Sequence, residues 1–126
     1  MSIVFDASAL LVLLNKESGH ELVEKYIPEA IMSAVNFAEV ITVLVGIGVP
    51  HVDAVNISSE LLVEIVHFDA IQAAISASFR HITKPLGLSL GDRACLALAQ
   101  HKQLPVITSD KIWGKLDLPI DIKLVR

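Results

Sequence analysis

The chain has 126 residues, of which 53% are hydrophobic and only 5% aromatic, and carries a formal net charge of −4. That length suits one domain with a core large enough to fold without staples, and the single Cys95 excludes an internal disulfide and fits a reducing compartment. The acidic balance excludes a scaffold that coats nucleic acid through a basic face, and no apolar stretch reaches the roughly 18 residues of a membrane span.

Ser2–Phe5 reads as a buried strand ending at Asp6, and residues 7–16 as a helix. This apolar start lacks a basic leader and a cleavage pattern and contains Asp6, so it is not read as a signal segment and a cytoplasmic location is expected. A second helix is predicted over 18–27, with Ser18 as N-cap, Glu21 closing a capping box and Pro28 as the break. Residues 30–33 form a strand, and Asn36 is expected to cap a helix reaching Gly46 or Gly48. Pro50 suits the first turn of the next helix, to Leu61, and 62–67 reads as a strand. Asp69 caps a helix whose apolar face is predicted as Ile71, Ala74, Ile75, Phe79 and Ile82. After a loop at 84–87, Ser89 or Gly91 opens a helix to His101 that is apolar all round over 94–99, hence central. Strand 105–108, a helical turn at 110–113 and strand 120–125 complete the chain. Strands alternating with helices imply an α/β fold of three layers, α/β/α, around a mostly parallel sheet of four to five strands, as one domain over 1–126.

Four acids, Asp6, Glu39, Asp92 and Asp110, stand at the edges of these elements in apolar or small-residue settings. Each has a local explanation as a helix cap or capping-box partner. Together they lie on separate elements that a parallel sheet brings to one edge, where ligands collect. Clustered carboxylates raise one another's pKa and destabilise the fold unless a cation intervenes. An all-oxygen set, with no His or Cys pair at ligand spacing, selects Mg²⁺ or Mn²⁺ and points to phosphoester chemistry.

The segments Val4-Phe5-Asp6-Ala7-Ser8-Ala9-Leu10, Ala38-Glu39-Val40, Ser89-Leu90-Gly91-Asp92-Arg93-Ala94-Cys95-Leu96-Ala97-Leu98-Ala99 and Val106-Ile107-Thr108-Ser109-Asp110 occur in this order. In them the chain resembles the PIN domain family, and more narrowly its VapC-type toxins of toxin–antitoxin pairs. The resemblance implies a Mg²⁺- or Mn²⁺-dependent endoribonuclease. Asp6, Asp92 and Asp110 would bind the metal, and Glu39 would ligate it or orient its water. Ser8 and Thr108 would support the cluster. It also implies an RNA substrate and a cognate antitoxin that blocks the acidic pocket and carries the DNA-binding module. A homodimer is expected instead from the 53% hydrophobic composition, which calls for a covered face. Arg93 stands where many members have a small residue, and is expected to face RNA phosphates or neutralise the pocket.

Other residues are assigned blander roles. The five histidines, scattered along the chain, are read as solvated or partly packed, Phe5 and Trp113 as core, and Cys95 as a small buried hydrophobe. Leu10, Leu11, Leu14, Leu22 and Tyr26 are expected to leave an apolar groove for the antitoxin. Arg80, Lys84, Lys102, Lys111 and Lys115 are candidate rim charges. A phosphoryl-aspartate domain would need an acidic pair or an Asp-x-Asp where this chain has Asp6-Ala7-Ser8, and no glycine-rich phosphate loop follows the first strand. A non-catalytic PIN-like module that binds RNA or protein is the alternative reading.

Overall fold

Twelve elements alternate through residues 1–126, all of which the computed structural model describes: β1 (Ile3–Phe5), α1 (Ala7–Leu14), α2 (His20–Tyr26), β2 (Ala30–Ser33), α3 (Ala34–Gly46), α4 (His51–Leu61), β3 (Glu64–Val66), α5 (Ala70–Ser78), α6 (Arg80–Thr83), α7 (Leu90–Lys102), β4 (Val106–Thr108) and β5 (Ile122–Leu124). The strands form one sheet in the order β3-β2-β1-β4-β5, and every pairing is parallel. No helix is long and apolar enough to cross a membrane.

The period-two alternation of the strands separates two cores. Ile3, Phe5, Ala30, Met32 and Ile107 join Leu10, Val23, Val40 and Leu44 on one face. Val4, Ile31 and Val106 join Phe79, the middle of α7 and Trp113 on the other. Because both faces are covered, the central strands read as unbroken apolar runs. The three-layer α/β/α expectation holds, with five strands and a fully parallel sheet.

Strands β1, β2 and β3 progress to one side of β1, whereas β4 and β5 lie on the other. The order thus reverses between β1 and β4, and the carboxyl ends of strands at such a reversal are where parallel sheets bind ligands. Asp6 follows β1 directly, and Ser109 and Asp110 follow β4.

Several local expectations are corrected. Gly19, not Ser18, precedes α2, and no side chain caps that helix. Gly19 takes φ 94° where the chain turns against the C-terminal segment, and a Cβ there would strike Val125, which only glycine avoids. Ser33 caps α3 through the Val35 amide, so Asn36 lies inside the helix. Pro50 is the cap of α4 rather than part of its first turn, and residues 84–86 form a 3-10 turn rather than an open loop. The helix predicted after Asp69 breaks at Phe79 into α5 and α6. Its inward face is Gln72, Ser76, Phe79 and Thr83, while Ile71 and Ile82 are exposed and Ala74 is exposed as well. The polar members of that face use nearby backbone: Gln72 donates to the His67 carbonyl, Ser76 to Ala73 and Thr83 to Phe79. Gln72 Oε1 is left buried without a partner, and α5 packs along α7.

Candidate acidic site at the sheet edge

Asp6 is buried at 4% exposure and caps α1. Its Oδ1 accepts the Ala9 amide at 2.9 Å and the Ser8 hydroxyl at 2.7 Å, and its Oδ2 accepts the Thr108 hydroxyl at 2.6 Å. Each hydroxyl also receives a backbone amide from the segment after β4, Ser109 to Ser8 at 3.0 Å and Asp110 to Thr108 at 3.1 Å. The two side chains therefore tie Asp6 to the end of β4, as expected of supporting hydroxyls. Burial pushes the Asp6 carboxyl up to about 6; the bonds from Thr108, Ala9 and Ser8 oppose this, and the charge of Asp92 adds to it.

Asp92 opens α7 in a capping box with Ser89: its Oδ2 accepts the Ser89 amide at 2.9 Å, and its own amide bonds the Ser89 hydroxyl at 3.2 Å. Glu39 comes from the second turn of α3. Its Oε1 accepts the Asn36 side-chain amide at 2.8 Å, and the same Nδ2 donates to the Gly91 carbonyl at 3.0 Å. A Cβ on Gly91 would fall 2.7 Å from Glu39 Oε1 and 2.6 Å from its Cδ, so the carboxylate lies across the first turn of α7, beside Asp92. Cys95, one turn further on, is fully buried. Burial pushes its thiol well above the usual range, and the charges of Asp6, Asp92 and Glu39 push it further. Three carboxylates that act on one buried sulfur occupy one neighbourhood.

Asp110 is joined to this group through its backbone, but its exposed carboxylate turns away to cap Ile112 at 3.1 Å. As the side chains stand, no three acidic, His or Cys groups are set at metal-ligating geometry. The reason is local: each aspartate commits an oxygen to a helix or turn N-terminus. Arg93 is half-buried beside Asp92 and forms no ion pair, nor do Arg80, Lys84, Lys111 or Lys115. The four acids line none of the chain's three concavities.

Asn36 and Gly91 were not legible as site residues. The signals were present: a buried Asn one turn before an acid in an apolar helix, and a glycine inside a first turn, where it costs about 1 kcal/mol against alanine.

The PIN domain family model matches residues 3–118. The chain belongs to the PIN domain family. Solved structures similar to this PIN domain include a toxin–antitoxin complex from Klebsiella pneumoniae, at 20% identity and TM-score 0.77, covering 99% of this chain and 98% of that one. A DNA-bound VapBC from Salmonella typhimurium matches at 16% identity and TM-score 0.77, covering 100% and 99%. A Mycobacterium tuberculosis VapC described as a sarcin-ricin-loop-cleaving toxin matches at 16% identity and TM-score 0.72, covering 90% and 93%. No curated protein matches the sequence. The oxygen-only donor set of this PIN domain suits a hard divalent cation, and the space above Gly91, which a Cβ would fill, keeps the Glu39 carboxylate at the edge where the other acids gather.

Proposed function

We propose that this PIN domain is a Mg²⁺- or Mn²⁺-dependent endoribonuclease and the toxin of a toxin–antitoxin pair. The observation that carries the reading is the convergence at one sheet edge of Asp6, tied through Ser8 and Thr108 to the segment holding Asp110, and of Glu39, held by Asn36 across the first turn of α7 that carries Asp92. Asp6, Asp92 and Asp110 are the proposed metal ligands, and Glu39 a ligand or the residue that orients the attacking water. A bound divalent cation supplies an activated water and neutralises charge on the reacting phosphate. The chain's own residues prepare that chemistry: Ser8 and Thr108 hold Asp6 in one orientation, and Arg93, which forms no ion pair, is the proposed contact to a phosphate. An acidic edge outside any enclosed pocket suits a polymer better than a small metabolite.

The partner reading has its own support. A groove of about 820 Å³ between α1, α2 and the end of α4 has Leu13, Leu14, Ile27, Ile57 and Leu61 in its lining, with Lys16, Glu24 and Glu60 also lining it. Of the five residues expected there, only Leu14 lines it; Leu11, Leu22 and Tyr26 do not, and Leu10 is fully buried in the core. An amphipathic antitoxin helix fits such a surface. Exposed Val43, Val45, Ile47 and Val52 on the α3–α4 hairpin suit a homodimer contact. The location proposed is the cytoplasm.

One observation favours the alternative of a non-catalytic PIN-like binding module: the cap-directed carboxylates described above. Incubation of total RNA with the purified chain separates the two. Discrete fragments that need Mg²⁺ or Mn²⁺ and vanish with EDTA and with Asp92→Asn support the nuclease. Intact RNA with every metal, from folded and antitoxin-free protein, supports the module.

A further inference from the structure

The Asn36 amide is the one polar side chain that joins α3 to α7 at the acidic edge. It is 1% exposed and gives both of its donor contacts to the site: Glu39 Oε1 at 2.8 Å and the Gly91 carbonyl at 3.0 Å. Its own Oδ1 is buried with no partner. An unsatisfied buried acceptor costs about 1–3 kcal/mol, which offsets most of what two hydrogen bonds contribute. Reversing the amide would give Oδ1 no relief, since it would then face a carboxylate and a carbonyl, two acceptors. At this position an apolar side chain would serve stability as well, and the helix N-terminus is already capped by Ser33.

We infer that Asn36 is a positioning residue for Glu39: with Gly91 it forms a latch that fixes the carboxylate across the first turn of α7. The donor restrains Oε1 and leaves Oε2 without a protein partner, and the missing Cβ of Gly91 provides the space. Two features of the sequence thus acquire one cause, an amide in an apolar helix and a glycine beside Asp92. The inference rests on the proposed role of Glu39, and the experiment is arranged so that the two fail separately.

Mn²⁺ dissociation constants, together with kcat and KM on RNA, would be measured for the wild type, Asn36→Ala, Asn36→Asp, Glu39→Gln and the double variant Asn36→Ala/Glu39→Gln. Second-sphere losses are about 10- to 100-fold in metal affinity or activity, so Asn36→Ala is expected to lose that much in kcat or Mn²⁺ affinity with KM little changed. Asn36→Asp, of the same shape but without the donor, is expected to lose at least as much. Because Asn36 acts through Glu39, the double variant should be no worse than Glu39→Gln alone. Wild-type values in both Asn36 variants, or losses that multiply in the double variant, overturn the inference. A wild type that cleaves while Glu39→Gln is unaffected overturns the role of Glu39 instead. Where the wild type neither binds Mn²⁺ nor cleaves, the nuclease reading fails and NMR of the metal-free protein decides the latch. Slowly exchanging Asn36 side-chain amide protons that Glu39→Ala releases support it, and freely exchanging ones overturn it.

Discussion

Asp6→Asn tests the electrostatics of the site without reference to catalysis. The Asp6 carboxyl is raised from 3.8 to about 6, roughly two pKa units at 1.36 kcal/mol each, or about 3 kcal/mol. With the group 4% exposed, solvent screening takes little from that figure. The sign follows from proton binding: between pH 4 and pH 6 the folded chain holds a proton on Asp6 that the unfolded chain has released. The stabilising contribution is full below about pH 4 and is lost as pH rises through about 6. Metal-free protein at pH 7.5 therefore carries a penalty that an amide, uncharged throughout, does not.

Urea unfolding in EDTA from pH 4 to pH 8 measures this. The stability of Asp6→Asn minus that of the wild type should rise by about 2–3 kcal/mol between pH 4 and pH 7.5. The introduced amide can still accept the Ala9 N–H through its oxygen, and the Ser8 and Thr108 hydroxyls, 3.2 Å apart, can reorient toward each other. Saturating Mg²⁺ or Mn²⁺ should close the gap from the wild-type side, by about 2.7 kcal/mol at a hundredfold excess over Kd. A stability difference that stays flat across this pH range would refute burial as the dominant influence on Asp6.

Thr108→Val removes the 2.6 Å donor to Asp6 and the acceptor for the Asp110 amide. It should cost about 1–3 kcal/mol in urea unfolding and raise the Asp6 pKa further, seen as a midpoint above that of wild type in the carboxyl titration by NMR. Arg93→Ala should raise KM for RNA with kcat little changed and flatten the salt dependence of binding, measured from 50 to 200 mM KCl. Leu98→Ala, in the fully buried middle of α7, should cost about 2–5 kcal/mol in the same unfolding assay while Mn²⁺ affinity holds in the folded fraction.

The architecture was legible because its signals are local and repeated. Short apolar runs within 2–5, 30–33 and 105–108 read as buried strands, and the all-apolar middle of α7 reads as a central helix. What failed needed tertiary information. The face of α5 was predicted by hydrophobicity, but the partner helix α7 offers Ala94, Ala97 and other small residues, against which close approach outweighs apolar area. Ser76 could turn inward because its hydroxyl donates to the Ala73 carbonyl, and Gln72 because its Nε2 donates to His67, although its Oε1 stays buried without a partner. Asn36 was read as a cap from spacing alone, since Glu39 three residues later completes a capping-box pattern. Ser33 held the better geometry, immediately after β2, and released Asn36 to the helix interior. The acids were singled out from their settings, while the contact that brings Asn36 and Gly91 beside Glu39 spans 55 residues of sequence and has no local signature.

For each aspartate the observed cap and the proposed ligand role are compatible, because a cap occupies only part of a carboxylate's acceptor capacity. A carboxylate at an N-terminus meets unpaired amides and the positive end of the helix dipole, worth about 0.3–1 kcal/mol beyond the hydrogen bond itself. Asp6 on α1, Asp92 on α7 and Asp110 on the turn at 111–115 each gain this locally. Parallel strands with right-handed crossovers start their following helices at the same sheet edge, so the chain can gather several carboxylates there while each is individually stabilised. The residual cost falls on Asp6, the most buried of them, as its raised pKa records. Withdrawing an oxygen from a cap costs about 1 kcal/mol, within the reach of a modest cation affinity. On the proposed reading, a fold built this way is stable without the cation and has its carboxylates at hand when one binds. Converging helix N-termini thus let a chain with a net charge of −4 concentrate negative charge at a single edge.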